Sequence, residues 1–190
     1  MTDLHLAGDA AADELLAANP FALLTGMLLD QQIPMEVAFA GPAKLADRLG
    51  GLDPKQVAAM GPDEFLEAFR EKPAVHRFPK SMAGRVQDLA RVIAEDYDGD
   101  ASRIWTEGDP DGSEVLARLK ALPGFGEQKA KIFLALLGKQ RGVEAPGWQE
   151  AAGDYGRPDV AMSIADVTGP ETLVAVREYK QAQKAKKKQA

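Results

Sequence analysis

The chain has 190 residues, no cysteine, two histidines, 45% hydrophobic and 27% charged residues, and a net charge of −6. That length suits one compact domain with a sizeable apolar interior, and the lack of cysteine removes disulfides, thiolate zinc sites, iron–sulfur clusters and thiol nucleophiles together. His5 and His76 lie far apart, which argues against a histidine metal site or a Ser-His-Asp triad. No apolar run is long enough to span a membrane, and the acidic start MTDLHLAGDAA, without an apolar signal core, points to a cytoplasmic protein.

In chain order the pattern is helical nearly throughout, because alanine and leucine dominate and no stretch alternates apolar and polar residues for long. Asp9 caps a first helix that ends at Asn19-Pro20. The apolar run over 21–29 reads as a buried helix. After DQQIP a helix resumes over 34–49, with Gly41-Pro42 inside it as a kink or join, and Gly50-Gly51 ends it. Asp53-Pro54 and Pro62-Asp63 start two short helices. The segment 81–97 is the clearest amphipathic helix, with Val86, Leu89, Ala90, Ile93 and Ala94 on one stripe. A glycine- and aspartate-rich connection over 98–112 leads to two helices, 113–121 and 127–137, around the turn LPGFG. The segment 138–157 reads as a long loop, and 170–186 as a last helix. The sum is an all-α domain of roughly eight to ten helices.

Charge is unevenly spread. Residues 177–190 carry six basic groups and one acid, a local +5, which leaves −11 for the rest. An acidic chain is a poor prior for nucleic-acid binding. The basic tail reads either as a solvated terminal helix or as a short nucleic-acid-tethering arm.

The informative segment is LARLKALPGFGEQKAKIFLALLGKQ, residues 116–140. Two glycines spaced by one residue let the backbone turn sharply and approach a ligand without a Cβ in the way. Free amides of the following helix then make an anion site suited to a phosphate, with no basic side chain required. The competing reading is a plain helix–turn–helix corner with glycines chosen for geometry alone.

With Leu122-Pro123-Gly124-Phe125-Gly126, Ala130 and the apolar helix behind them, this segment resembles the helix-hairpin-helix of the HhH-GPD superfamily of base-excision DNA repair glycosylases. MLLDQQIPMEVAFAGPAKLADRLG (27–50) resembles the early helix pair of the 3-methyladenine glycosylase branch, where a paired glutamine sits in the same setting. HRFPKSMAGRVQDLARVIAED (76–96) is similar to the helix that precedes the hairpin there. The resemblance implies a two-lobed helical fold over 1–176, with the hairpin at 113–137 and a basic tail at 177–190. It also implies a monomer acting on double-stranded DNA that carries a damaged base. Main-chain amides of Gly124, Gly126, Gln128 and Lys129 should face phosphates of one strand, with Phe125 at the turn tip and the Lys129 charge beside them. The carbonyls of Lys120, Leu122 and Phe125 fall where the family holds a monovalent cation, K+ or Na+. No other cofactor is expected, and no iron–sulfur cluster.

A glycosylase extrudes its base and leaves an oxocarbenium-like sugar, which a nearby carboxylate stabilises. Family members that also cleave the strand add a lysine early in the second hairpin helix. Gln128 stands there instead, and Lys129 lies about 100° further round the helix, so a lyase step is not expected. The family's aspartate is also missing: Ala145, Gly147 and Trp148 fill the slots where it should stand. Three readings follow. Glu144 or Asp154 replaces the acid, excision proceeds without a carboxylate, or the protein only binds DNA or a lesion. Gln31, Gln32, Phe39 and Trp148 are the residues expected to border the base. The alternatives are that the glutamines cap helix ends and that Trp148 anchors the core.

Overall fold

Helices start at the expected caps Asp9 and Asp53, and also at Asn19 and Asp111, two caps outside that expectation. Asp9, Asn19, Asp53 and Asp111 each accept a hydrogen bond from the amide three residues on, at 2.8–3.1 Å. The computed structural model describes residues 3–190, and among these it is all-helical. Its helices are α1 (Ala10–Ala18), α2 (Pro20–Leu29), α3 (Met35–Leu49), α4 (Pro54–Ala59), α5 (Pro62–Arg70), α6 (Pro79–Asp96), α7 (Arg103–Thr106), α8 (Gly112–Lys120), α9 (Glu127–Gln140), α10 (Trp148–Ala152) and α11 (Pro170–Gln189), with 3-10 turns at Gly153–Gly156 and Ile164–Asp166. No helix is long and apolar enough among the described residues to cross a membrane.

Helices α1–α6 pack on one another, and α8–α10 pack with the 3-10 turns. A single apolar core joins the two groups. Every residue of α2 from Phe21 to Leu29 is buried, as a helix apolar on all sides but for Thr25 must be. Phe39 of α3 lies against it, its ring so close to Gly26 that a Cβ there would sit 2.5 Å away. Phe133 of α9 anchors the second group, with Trp105 at 5.8 Å and Phe125 edge-on at 6.2 Å between centroids.

Three expectations need correction. Helix α3 runs unbroken through Gly41 and Pro42, both of which are buried in the packed face. The connection over 98–112 holds the short helix α7. The segment 138–157 is no open loop, because α9 extends to Gln140 and α10 with a 3-10 turn follows. It packs closely on its neighbours: a Cβ on Gly138 would meet the Trp148 indole at 2.6 Å, and one on Gly112 of α8 would meet the Trp148 backbone at 2.6 Å. The basic tail lies within the last helix. It is the second half of α11, which continues through residue 177 without a break.

Candidate nucleic-acid interface

The turn between α8 and α9 is a type II turn. The Phe125 amide donates to the Leu122 carbonyl at 3.1 Å, with Pro123 and the left-handed Gly124 (φ 80°) at the central positions. A Cβ on Gly124 would collide with Leu28 Cδ1, so this glycine is required by both backbone and packing. Gly126 differs. Its φ of −79° suits any residue, and a Cβ there would meet open space. It is the N-cap of α9 and offers no side chain to that helix's first amides, which therefore remain available to an outside anion. The adjacent Glu127 is exposed and held by Lys131 at 3.5 Å and Lys120 at 4.0 Å. In the turn, the Leu122 carbonyl spends one lone pair on the Phe125 amide and keeps a second.

Behind the turn lies the end of α2, whose carbonyls are closed by side chains distant in sequence. Lys129 Nζ donates to Met27 at 2.7 Å and Leu28 at 3.0 Å. Gln31 Nε2 donates to Leu28 at 3.0 Å. His76 Nε2 contacts the Leu29 carbonyl at 3.1 Å and that of Gln31 at 3.0 Å, while the Phe78 amide donates to Nδ1 at 2.9 Å. That pattern fixes the neutral tautomer with hydrogen on Nε2, and burial pushes the His76 pKa down in agreement. The sequence offered no signal for this role of His76.

The structure separates the residues expected at the site. Gln31 is a cap, its Oε1 taken by Arg85 at 3.1 Å, whereas Gln32 is exposed and held at φ 62°. Lys129, expected at a phosphate, has its ammonium spent in the seam between α2 and α9. Gln128 points the other way and donates to the Tyr155 hydroxyl at 3.0 Å. Phe125, 4% exposed, packs inward on Phe133. Trp148, 9% exposed, and Phe39, fully buried, pack in the core, where each ring covers a glycine of the interior. Glu144 and Asp154 are exposed, and neither lines the groove described next.

A groove of about 350 Å³ opens beside Gln128, lined by Ile132, Tyr155 and Met162 on one side and by Tyr179, Lys180 and further α11 residues on the other. Asp30, the C-cap of α2, is the carboxylate that meets this corner. Burial raises its pKa, while Lys180 and Lys129 pull it down. Burial lowers Lys129 to about 8, against the favourable charge of Asp30 and with Arg85 and Lys180 adding to the fall. Phe78, 41% exposed under the Arg77 guanidinium at 5.4 Å, adds a bare aromatic beside the His76 ring. The sequence signal for it was an aromatic among bases, HRFPK, at a helix start. A chain with net charge −6 thus brings Arg85 and Lys180 within electrostatic reach of Lys129, in the first turn of α9.

The family description "HhH-GPD superfamily base excision DNA repair protein" matches residues 25–189, a span that includes the hairpin, Gln31, Gln32 and all of α11. A search of curated proteins returns no match.

Proposed function

Because the chain belongs to the HhH-GPD superfamily of base excision DNA repair proteins, we propose that it is a monomeric, monofunctional DNA glycosylase, which hydrolyses the N-glycosidic bond of a damaged or modified base in duplex DNA. The observation that carries this reading is the side-chain-free N-terminus of α9 opening beside the groove at Gln128 and Tyr155. The hairpin amides hold a backbone phosphate. The carbonyls of Lys120, Leu122 and Phe125 would hold K+ or Na+, which lends positive charge at that phosphate. Tyr155 and Tyr179 offer aromatic faces on which an extruded base can stack.

Among the carboxylates weighed, Asp30 fits the electrostatic role best. It is half-buried at the hairpin corner, whereas Glu144 and Asp154 stand in solvent. Its negative charge would stabilise the oxocarbenium-like sugar as the base departs. No lyase step accompanies excision, since Gln128 has no amine and the Lys129 amine is engaged by two carbonyls. Incubation with duplexes bearing a panel of damaged bases should give abasic sites that break only after alkali. Absence of product across the panel overturns the proposal.

A second reading has one observation in its favour: the residues lining the groove include no carboxylate. On that reading the protein shelters a lesion or abasic site without turnover. Binding to an abasic-analogue duplex with no excision from any substrate would select it.

A further inference from the structure

We infer that α11 is a second phosphate-binding wall of the interface, and that its occupant is the backbone of the duplex held by the hairpin; the inference rests on the DNA-binding reading above. Val176, Tyr179, Lys180, Gln183, Lys184 and Lys187 recur at spacings of three and four, which places them on one face of the helix. Val176 is buried in the core and fixes the rotation of that face. Arg177 pairs with Glu36 on α3 and ties the same turn down. All five residues beyond it on the stripe then line the groove that Gln128 and Tyr155 close from the hairpin side. An apolar anchor becomes a cationic wall along one helix face.

A merely solvated lysine face would carry acids at neighbouring turns. Here Lys180 and Lys184 stand at i and i+4, a like-charge pair that costs helix stability. No acid is among the groove-lining residues; Asp30 acts on Lys180 and Lys129, which leaves Lys184 and Lys187 with no acid beside them in that lining. The uncompensated row calls for an external anion. Lys180 to Lys187 spans about 10 Å of helix axis, close to three base-pair rises of about 3.4 Å along the duplex axis. The hairpin amides opening beside the same groove already call for a phosphate, and one polyanion satisfies both walls.

Lys186 and Lys188 belong to the same helix and are absent from the groove lining, which supplies a charge-matched control. Duplex affinity of the full chain is measured against salt for wild type, for K184A/K187A and for K186A/K188A. Each phosphate contact contributes about 0.9 to the slope of log K against log salt. The expected result is a slope shallower by about 1.8 for K184A/K187A and near the wild-type slope for K186A/K188A. Equal losses in both variants, or none in either, overturn the assignment while leaving the hairpin reading intact. A flat wild-type response overturns both. If the wild type instead binds vesicles of anionic phospholipid through Lys184 and Lys187 and ignores duplex, the wall serves a membrane and the inference falls.

Discussion

Lys129 Nζ lies 2.7 Å from the Met27 carbonyl oxygen, so one ammonium joins the first turn of α9 to the last turn of α2. Replacing it with methionine leaves the Met27 and Leu28 carbonyls short of a donor, and Lys129→Met should lose about 1–3 kcal/mol at pH 7. Burial holds this amine at about 8 against the ordinary 10.5. Between those values the unfolded chain binds the extra proton, so the wild type gains stability from this residue as pH rises through the window. The gap between wild type and variant in urea unfolding should therefore widen from pH 7 to pH 10. A gap that stays constant would mean that the ammonium is not desolvated.

Gly124 and Gly126 are expected to respond oppositely to substitution. Gly124→Ala meets a left-handed φ and the Leu28 side chain, and should lose at least about 1–2 kcal/mol of stability. Gly126→Ser enters open space at an N-cap with extended backbone, where its hydroxyl can accept from the amides of the first turn of α9. Stability should hold or rise by a few tenths of a kcal/mol. Those same amides are the ones offered to phosphate, so duplex affinity should fall roughly tenfold or more. Thermal unfolding and fluorescence anisotropy read the two effects, and a variant that binds duplex like wild type would remove the hairpin from the interface.

Glu127 is the one acid in the first turn of α9, set next to the anion site and screened by Lys120 and Lys131. Glu127→Gln removes a like charge facing the phosphate and releases both lysines. Duplex affinity should rise several-fold at low salt, and the gain should shrink as salt rises. The exposed pairs contribute little, so stability should change by less than about 1 kcal/mol.

The parts of this molecule legible in the sequence are those set by neighbours along the chain. Capping by Asp9 and Asp53, the burial of 21–29 and the type II turn at Pro123-Gly124 all follow from local spacing and residue type. The all-helical class follows from them, whereas the family rests on the resemblance of the hairpin and its two flanking segments and on the family match. What pattern could not give is pairing at long range. Lys129 meets Met27 across 102 residues, and His76 meets Leu29 across 47; neither contact leaves a periodic trace. Trp148 and Phe39 were read toward the site because a loop aromatic and a helix aromatic look alike whether they face a ligand or a glycine. The stripe on α11 was present in the sequence, but its meaning depends on the groove wall opposite.

Asp30, Glu144 and Asp154 can be separated by one series of neutral variants. Asp30→Asn keeps the size of the side chain and removes the charge at the hairpin corner. If that charge stabilises the departing transition state, single-turnover excision should fall by about a hundredfold or more. Duplex binding should be unchanged or slightly tighter, since a repulsive charge is lost near the phosphates. Glu144→Gln and Asp154→Asn, both in solvent, should leave the rate within a few-fold of wild type. The pH profile adds an independent signature. Burial raises the Asp30 pKa above the ordinary 3.8, so the ionised form, and with it excision, should be lost on acidification at a higher pH than for an exposed aspartate. Asn at position 30 should abolish that limb. Full activity in Asp30→Asn, with the loss appearing in Glu144→Gln or Asp154→Asn, would move the acid to the 3-10 turn or the segment before α10.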